Sequence, residues 1–360
     1  MSTWRRIGAL SAKEAIQLVR DRATLGMLLG VPLLQVLLFG FAIELVPRTL
    51  AVTVVATTSE RAASVLGLLG EERGNILIHE TRSLNEAQQR LRRGEALIVL
   101  NADTWPVSVL IDASDPVLAA QASAAIERLE HRLAAETQEL DLTAPALHVE
   151  RLFNPEARTQ PYLVSGLLGL ILTMTLVMMS ALSLARERER GTLEGLIALR
   201  VRPLELCIGK LAPYAVFGFL QGSLVLIVAR LAFNVSVEGS WLLLAGAGGL
   251  FAIANLALGF LFSSLASAQM PAMQMTFFFF LPSSLLSGFM FPFSAMPAWA
   301  QAVGQVLPLT HFLRLARGIL LRRVDATYVV QEALPIAVFA AVIASAAIWA
   351  CHRSMRAGPG

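Results

Sequence analysis

The densest run of ionisable side chains beside an apolar stretch is RERERGTLEGL, residues 186–196. Its alternating sign leaves almost no net charge, so bulk attraction to anionic lipid is not its chemistry. Gly191 is placed to end a helix and Thr192 to cap a short new one, while Leu193, Leu196 and Ile197 give that piece an apolar side. A short helix with charged flanks and an apolar face suits a groove in a partner protein. A solvated turn stitched by pairs such as Arg190 with Glu194 fits the same letters. Nothing else reads as a reactive centre. Cys207, Cys351 and the five histidines show no CxxC, HExxH or other ligand spacing. Gly209-Lys210 is followed by Leu211 where a phosphate loop needs Ser or Thr, and no glycine stands five residues before Gly209. The expectation is therefore a chain without catalytic residues, metal, cofactor or nucleic-acid partner of its own.

The elements that carry this run must live in lipid. Of 360 residues 56% are hydrophobic and 15% charged, with mean hydropathy +0.63 and net charge +3, against about 25% charged in soluble domains. A spanning helix needs roughly 20 apolar residues, since its backbone polar groups must be satisfied internally. Six windows without Asp, Glu, Lys or Arg meet that need: Thr24 to Ile43, Leu163 to Ala185, Leu211 to Ala229, Trp241 to Leu265, Pro271 to Pro292 and Ala333 to Cys351. Residues 1–23 form a basic leader, with Arg5, Arg6, Lys13, Arg20 and Arg22 against Glu14 and Asp21, which places the N-terminus in the cytoplasm. Trp4, Ile7 and Leu18 lie near one helical face, so this leader either rests along the headgroups or is solvated. Six crossings return the tail, residues 352–360, to the cytoplasm and put the basic loop 186–210 there too. Arg314, Arg317, Arg322 and Arg323 fall on the outer side and go against the charge rule.

Between the first two windows, residues 45–160 carry eleven Arg and sixteen Asp plus Glu, the composition of a soluble domain. Leu50 to Thr57, Asn75 to His79, Ala96 to Asn101 and Val107 to Asp112 read as strands, with helices over 59–70, 83–93 and 116–140. Ser83 with Glu86 has the pattern of a capping box, Gly94 is placed to end that helix, and Asp115-Pro116 to start the long one. Residues 146–153, with Pro155 and Pro161, read as the return connection. The fold class is thus a polytopic α-helical membrane protein: six transmembrane helices with a small α/β extracytoplasmic domain between helices 1 and 2.

In this order the stretches RDRATLGMLLGVPLLQVLLFGFAI (20–43), IDASDP (111–116), RPLELCIGKLAPY (202–214), LLSGFMFPFSAMPAW (285–299) and LPLTHFLRLARGILL (307–321) resemble the permease subunit of type-2 ABC exporters, especially the bacterial multidrug group. The resemblance implies a half-transporter in the inner membrane. A separate ABC ATPase subunit would hold ATP and Mg, a second permease half, identical or paralogous, would complete the pathway, and a periplasmic adaptor is a further expected partner beside the lipid bilayer. It maps a coupling segment onto residues 186–200, with Glu187, Arg188, Glu189, Gly191, Thr192, Leu193 and Glu194 as its ATPase-coupling residues. It also implies a re-entrant outer hairpin at about 293–321, which would leave Arg314 and Arg317 at the outer interface. Leu199-Arg200 stands where the family usually has Thr-Pro, and Arg322-Arg323 where it often has a small basic residue and glycine.

The candidate pathway residues are Phe277, Phe278, Gln221, Asn255 and Gln274. Four consecutive phenylalanines, 277–280, point all round a helix, so at most two can face one route, and packing or lipid contact reads equally from them. The spans carry no mid-membrane carboxylate or lysine of the kind an ion-coupled secondary carrier needs. A membrane-anchored receptor sensing through the 45–160 domain would leave five further spans without a purpose.

Overall fold

The computed structural model describes residues 3–20, 50–58, 76–104, 106–137, 147–154, 159–192, 195, 202–235, 238–291, 293, 296–322 and 324–356. The expected first span, the helix over 59–70 and the coupling residues Leu193 and Glu194 lie outside the described residues.

Helix α1 spans Thr3–Arg20. The soluble unit follows, a five-stranded sheet of β1 (Leu50–Val55), β2 (Ile76–Thr81), β3 (Ile98–Asn101), β4 (Val107–Asp112) and β5 (Leu147–Leu152), in the order β2-β1-β3-β4-β5. Only β3 and β4 are antiparallel; β1 runs parallel to β2 and β3, and β4 parallel to β5. Alternation along the strands sends Val54, Leu100, Val109 and Ile111 toward helix α3 (Pro116–Thr137), and Val55, Val99 and Leu110 toward α2 (Leu84–Arg93). The sheet is therefore covered on both faces, which parallel pairing requires. The Ser83 hydroxyl accepts from Glu86 N at 3.4 Å, but the Glu86 carboxylate takes the Thr81 hydroxyl at 2.5 Å, so only half of the expected capping box forms. Gly94, at φ +72°, closes α2 as expected.

The reading of 146–153 as a plain connection is corrected: Leu147–Leu152 is an edge strand, register-paired with β4 from Leu147 opposite Val107 to Leu152 opposite Asp112. Only Leu147 in it is buried, so His148, Glu150 and Arg151 hide the strand behind a loop-like composition.

Among the described residues four further helices are long and apolar enough to cross a membrane: α4 (Thr159–Glu189), α5 (Pro203–Phe233), α6 (Trp241–Leu265) and α10 (Ala326–Arg356). Between α6 and α10 lie α7 (Gln269–Leu286), the short α8 (Ala298–Gly304) and α9 (Pro308–Arg317), which runs into a π-helical turn, Gly318–Arg322. Helix α7 stops six residues short of the expected window, because Ser287 ends it and Gly288 turns left-handed at φ +84°. Helix α4 is the centre of the bundle. A Cβ on Gly259 of α6 would sit 2.3 Å from the Val177 carbonyl oxygen of α4, so only glycine permits this approach. The Ser180 hydroxyl donates to Leu256 O at 2.7 Å across the same seam.

Candidate functional site

The run singled out in the sequence begins at the C-terminal end of α4. Gly191 has φ +68°, Thr192 N donates to Glu187 O at 3.0 Å and Gly191 N to Arg188 O at 3.2 Å. This pair of bonds is a Schellman closure, and a Cβ at Gly191 would be strained whatever the space around it. The Thr192 hydroxyl turns back to the Glu187 carboxylate instead of forward onto a new helix.

Three consecutive side chains then leave α4 in three directions, as the 100° step between helical neighbours requires. Glu187 is buried and accepts from Lys13 Nζ of α1 at 2.5 Å and from Lys210 Nζ of α5 at 3.3 Å. Arg188 donates to Ser264 O at 3.2 Å, to Ala266 O and to the Ser354 hydroxyl at 2.7 Å, tying the ends of α6 and α10. Those carbonyls are the unpaired acceptors at a helix C-terminus, where a cation is favoured. Glu189 accepts from Gln269 N at 2.7 Å and from the Gln269 side chain, a carboxylate on the positive end of α7. Arg190, Gly191 and Thr192 remain exposed.

Beneath Glu187 lies a cluster that the sequence reading missed. Lys210 is 1% exposed; its three donors face Glu14, Glu187 and Ser183 O, and the Tyr214 hydroxyl donates to Glu14 at 2.7 Å. One charge-free window begins one residue after Lys210 and another ends two before Glu187, so carboxylates and a lysine are buried at the helix ends that those windows left out. Gly209 is a packing glycine: a Cβ there would sit 2.8 Å from Leu10 of α1, and its carbonyl accepts from Ser11 at 2.8 Å. One signal was available. Leu10 and Glu14 lie four apart on the same side of α1, and a carboxylate on an apolar stripe needs a buried cation. Trp4, 81% exposed, and Ile16 stay free on α1.

The candidate pathway residues do not come together. Gln221 and Asn255 are buried between helices, the first donating to the Thr175 hydroxyl at 3.2 Å and the second to Phe251 O at 2.9 Å. Gln274, Phe277 and Phe278 are exposed on α7, Phe278 at 79%, in line with Met270, Leu281 and Leu285.

At the opposite end of α4 three of the four arginines that went against the charge rule are held, and Arg323 lies outside the described residues. Arg322 pairs with Asp112 of the sheet unit at 2.7 Å and donates to the Ser114 hydroxyl at 3.0 Å. Arg314 pairs with Glu332 at 3.5 Å, and the Arg317 guanidinium lies 4.1 Å over the Tyr162 ring while donating to Gly288 O at 3.2 Å.

A family model described as ABC-2 family transporter protein matches residues 22–349. The chain belongs to the ABC-2 transporter family. It is 30% identical over 338 residues to the probable multidrug ABC transporter permease YbhS of Escherichia coli K12, covering 89% of each chain. To YbhR of the same strain, also described as a probable multidrug ABC transporter permease, it is 27% identical over 360 residues, covering 95% of this chain and 97% of the relative. The inner membrane transport permease YhhJ of the same strain matches at 28% over 187 residues, about half of each chain. This ABC-2 transporter chain therefore has its most polar buried contacts at both ends of one central helix, and its apolar packing between them.

Proposed function

We propose that the chain is the membrane-spanning permease subunit of an ATP-driven ABC exporter that moves a hydrophobic or amphipathic substrate, drug-like or lipid-like, outward across the inner membrane. The descriptions of YbhS and YbhR as multidrug permeases support the substrate class. In this reading six helices span from a cytoplasmic N-terminus, the sheet unit lies outside, and α8 and α9 form the re-entrant hairpin. A separate ATPase subunit binds ATP and Mg and docks on residues 186–200. A second permease half, identical or paralogous, faces the exposed stripe of α7, which puts Phe277, Phe278 and Gln274 beside the pathway. A periplasmic adaptor would meet the sheet unit.

The observation that carries the coupling assignment is the divergence of Glu187, Arg188 and Glu189 onto α1 and α5, onto α6 and α10, and onto α7. A load applied just beyond Gly191 would reach every described helix end on that side at once, as rigid-body tilting requires. The test is co-purification with the cognate ATPase after Arg190→Glu together with Leu193→Asp, both beyond the interlocked residues. Loss of the ATPase with unchanged membrane insertion and thermal stability supports the reading; undiminished association refutes it.

A further inference from the structure

Helices α5 and α6 leave between them an apolar groove of about 860 Å³, floored by Phe312 of α9 and by Leu168 and Leu172 of α4. Phe312 is itself stacked flat on Phe251, ring centroids 4.2 Å apart, so the floor is rigid. Along α6 the groove runs from Trp241 to Ile253, about 18 Å at 1.5 Å per residue. That is close to the depth of one leaflet, about half of a 30 Å hydrocarbon core. Among the described residues Arg230 is the one charged side chain of the lining; it stands at the mouth with the exposed Trp241, and no described residue pairs with it. Gly248 lines the wall with no described atom of a neighbouring element within 4 Å of the place where its Cβ would be. A glycine in a helix interior is the less stable choice, and here no described neighbour requires it.

We infer that this groove holds one acyl chain of an anionic phospholipid whose phosphate sits on Arg230. The length suits an extended chain, and the lone cation at the headgroup end of an otherwise uncharged wall complements a net-anionic headgroup better than a zwitterionic one, whose phosphate is offset by its own ammonium. The site lies on α5 and α6, away from the α7 stripe, and does not depend on the export reading. On the topology proposed above it opens to the outer leaflet.

The full chain is reconstituted in nanodiscs of phosphatidylglycerol and phosphatidylcholine in equal parts, and the lipid carried into the gas phase is counted by native mass spectrometry. The wild type is expected to keep one lipid per chain, predominantly phosphatidylglycerol. Gly248→Leu places its Cβ clear of every described neighbour and extends its side chain into the groove, which lowers that occupancy about tenfold, the effect of displacing about two buried methylenes. Arg230→Gln keeps a lipid but loses the preference for phosphatidylglycerol. Unchanged occupancy in Gly248→Leu, or an unchanged preference in Arg230→Gln, overturns the inference. So does a change in the oligomeric mass of Gly248→Leu at constant lipid count, which would assign the groove to a second copy of the chain.

Discussion

Lys210 is 1% exposed and has an acceptor for each of its three protons, so its removal strands two carboxylates instead of deleting one contact. Lys210→Met leaves Glu14 and Glu187 buried, with Lys13 and the Thr192 hydroxyl left on Glu187 and the neutral Tyr214 hydroxyl on Glu14. A cost of about 3–5 kcal/mol is expected, the range for an uncompensated buried charge. Glu14→Gln added to Lys210→Met removes one of the stranded charges and should return about 1–3 kcal/mol of it through the coupling of neighbouring groups. Thermal unfolding of the four proteins in one detergent checks the cycle; additive losses would show that the three groups do not act as a unit. None of this cluster was legible as a cluster. Charge-free windows locate helices by leaving charges out, so they place a boundary where Lys210 and Glu187 are buried. The coupling run was legible because glycine and alternating charge are local signals. What its charges hold was not, since Ser264, Gln269 and Ser354 are distant in sequence and ordinary in type.

Among the helices, glycine separates two kinds of contact. Gly259 is closed by the α4 backbone, whereas a Cβ on Gly246 of the same helix would meet no described neighbour within 4 Å. Gly259→Ala must push α4 and α6 apart and is expected to cost at least about 1–3 kcal/mol, the range for overpacking. Gly246→Ala should instead add up to about 1 kcal/mol, since alanine only restricts the unfolded helix. Opposite shifts in melting temperature are the expected result, and equal shifts would remove the close approach from the account. Gly191→Ala belongs to the same scale. At φ +68° it should cost about 1–2 kcal/mol and fray the end of α4, seen as faster amide exchange at residues 187–191. The run Ala245 to Gly249 reads from sequence as a helix-packing motif, and none of its three glycines is packed by a described residue of another element. Periodicity reports that a face is small; it does not report what occupies the space. Strand β5 failed to read for a related reason, because an edge strand with one buried residue carries almost no alternation.

Helix α4, about 46 Å long for its 31 residues, joins the two polar ends of the molecule through direct contacts. Glu187 to Glu189 grip the helix ends on one side, while Tyr162 lies under Arg317 and Gly166 under the Phe289 ring on the other. Beyond that second end the sheet unit is attached by Arg322, whose guanidinium reaches Asp112 and Ser114 together, with a weaker pair from Arg93 to Asp325 at 3.7 Å. Asp112 is 4% exposed and Arg322 is 13% exposed at the side chain, so the pair is shielded from the screening that weakens surface bridges. Arg322→Gln should leave Asp112 buried and uncompensated and undock the sheet unit locally without unfolding the bundle. Amide exchange over residues 112–118 and 318–326 is then expected to rise at least about a hundredfold, the kinetic equivalent of about 3 kcal/mol. The seam between α4 and α6 should stay protected. Arg322→Lys should recover only part of the protection, since an ammonium keeps the charge but lacks the planar fork that meets a carboxylate and a hydroxyl at once. Protection unchanged at both segments in Arg322→Gln would mean that the Arg93–Asp325 pair and apolar packing suffice to hold the sheet unit, and that Arg322, out of place by the charge rule, is not what fastens it to the membrane helices.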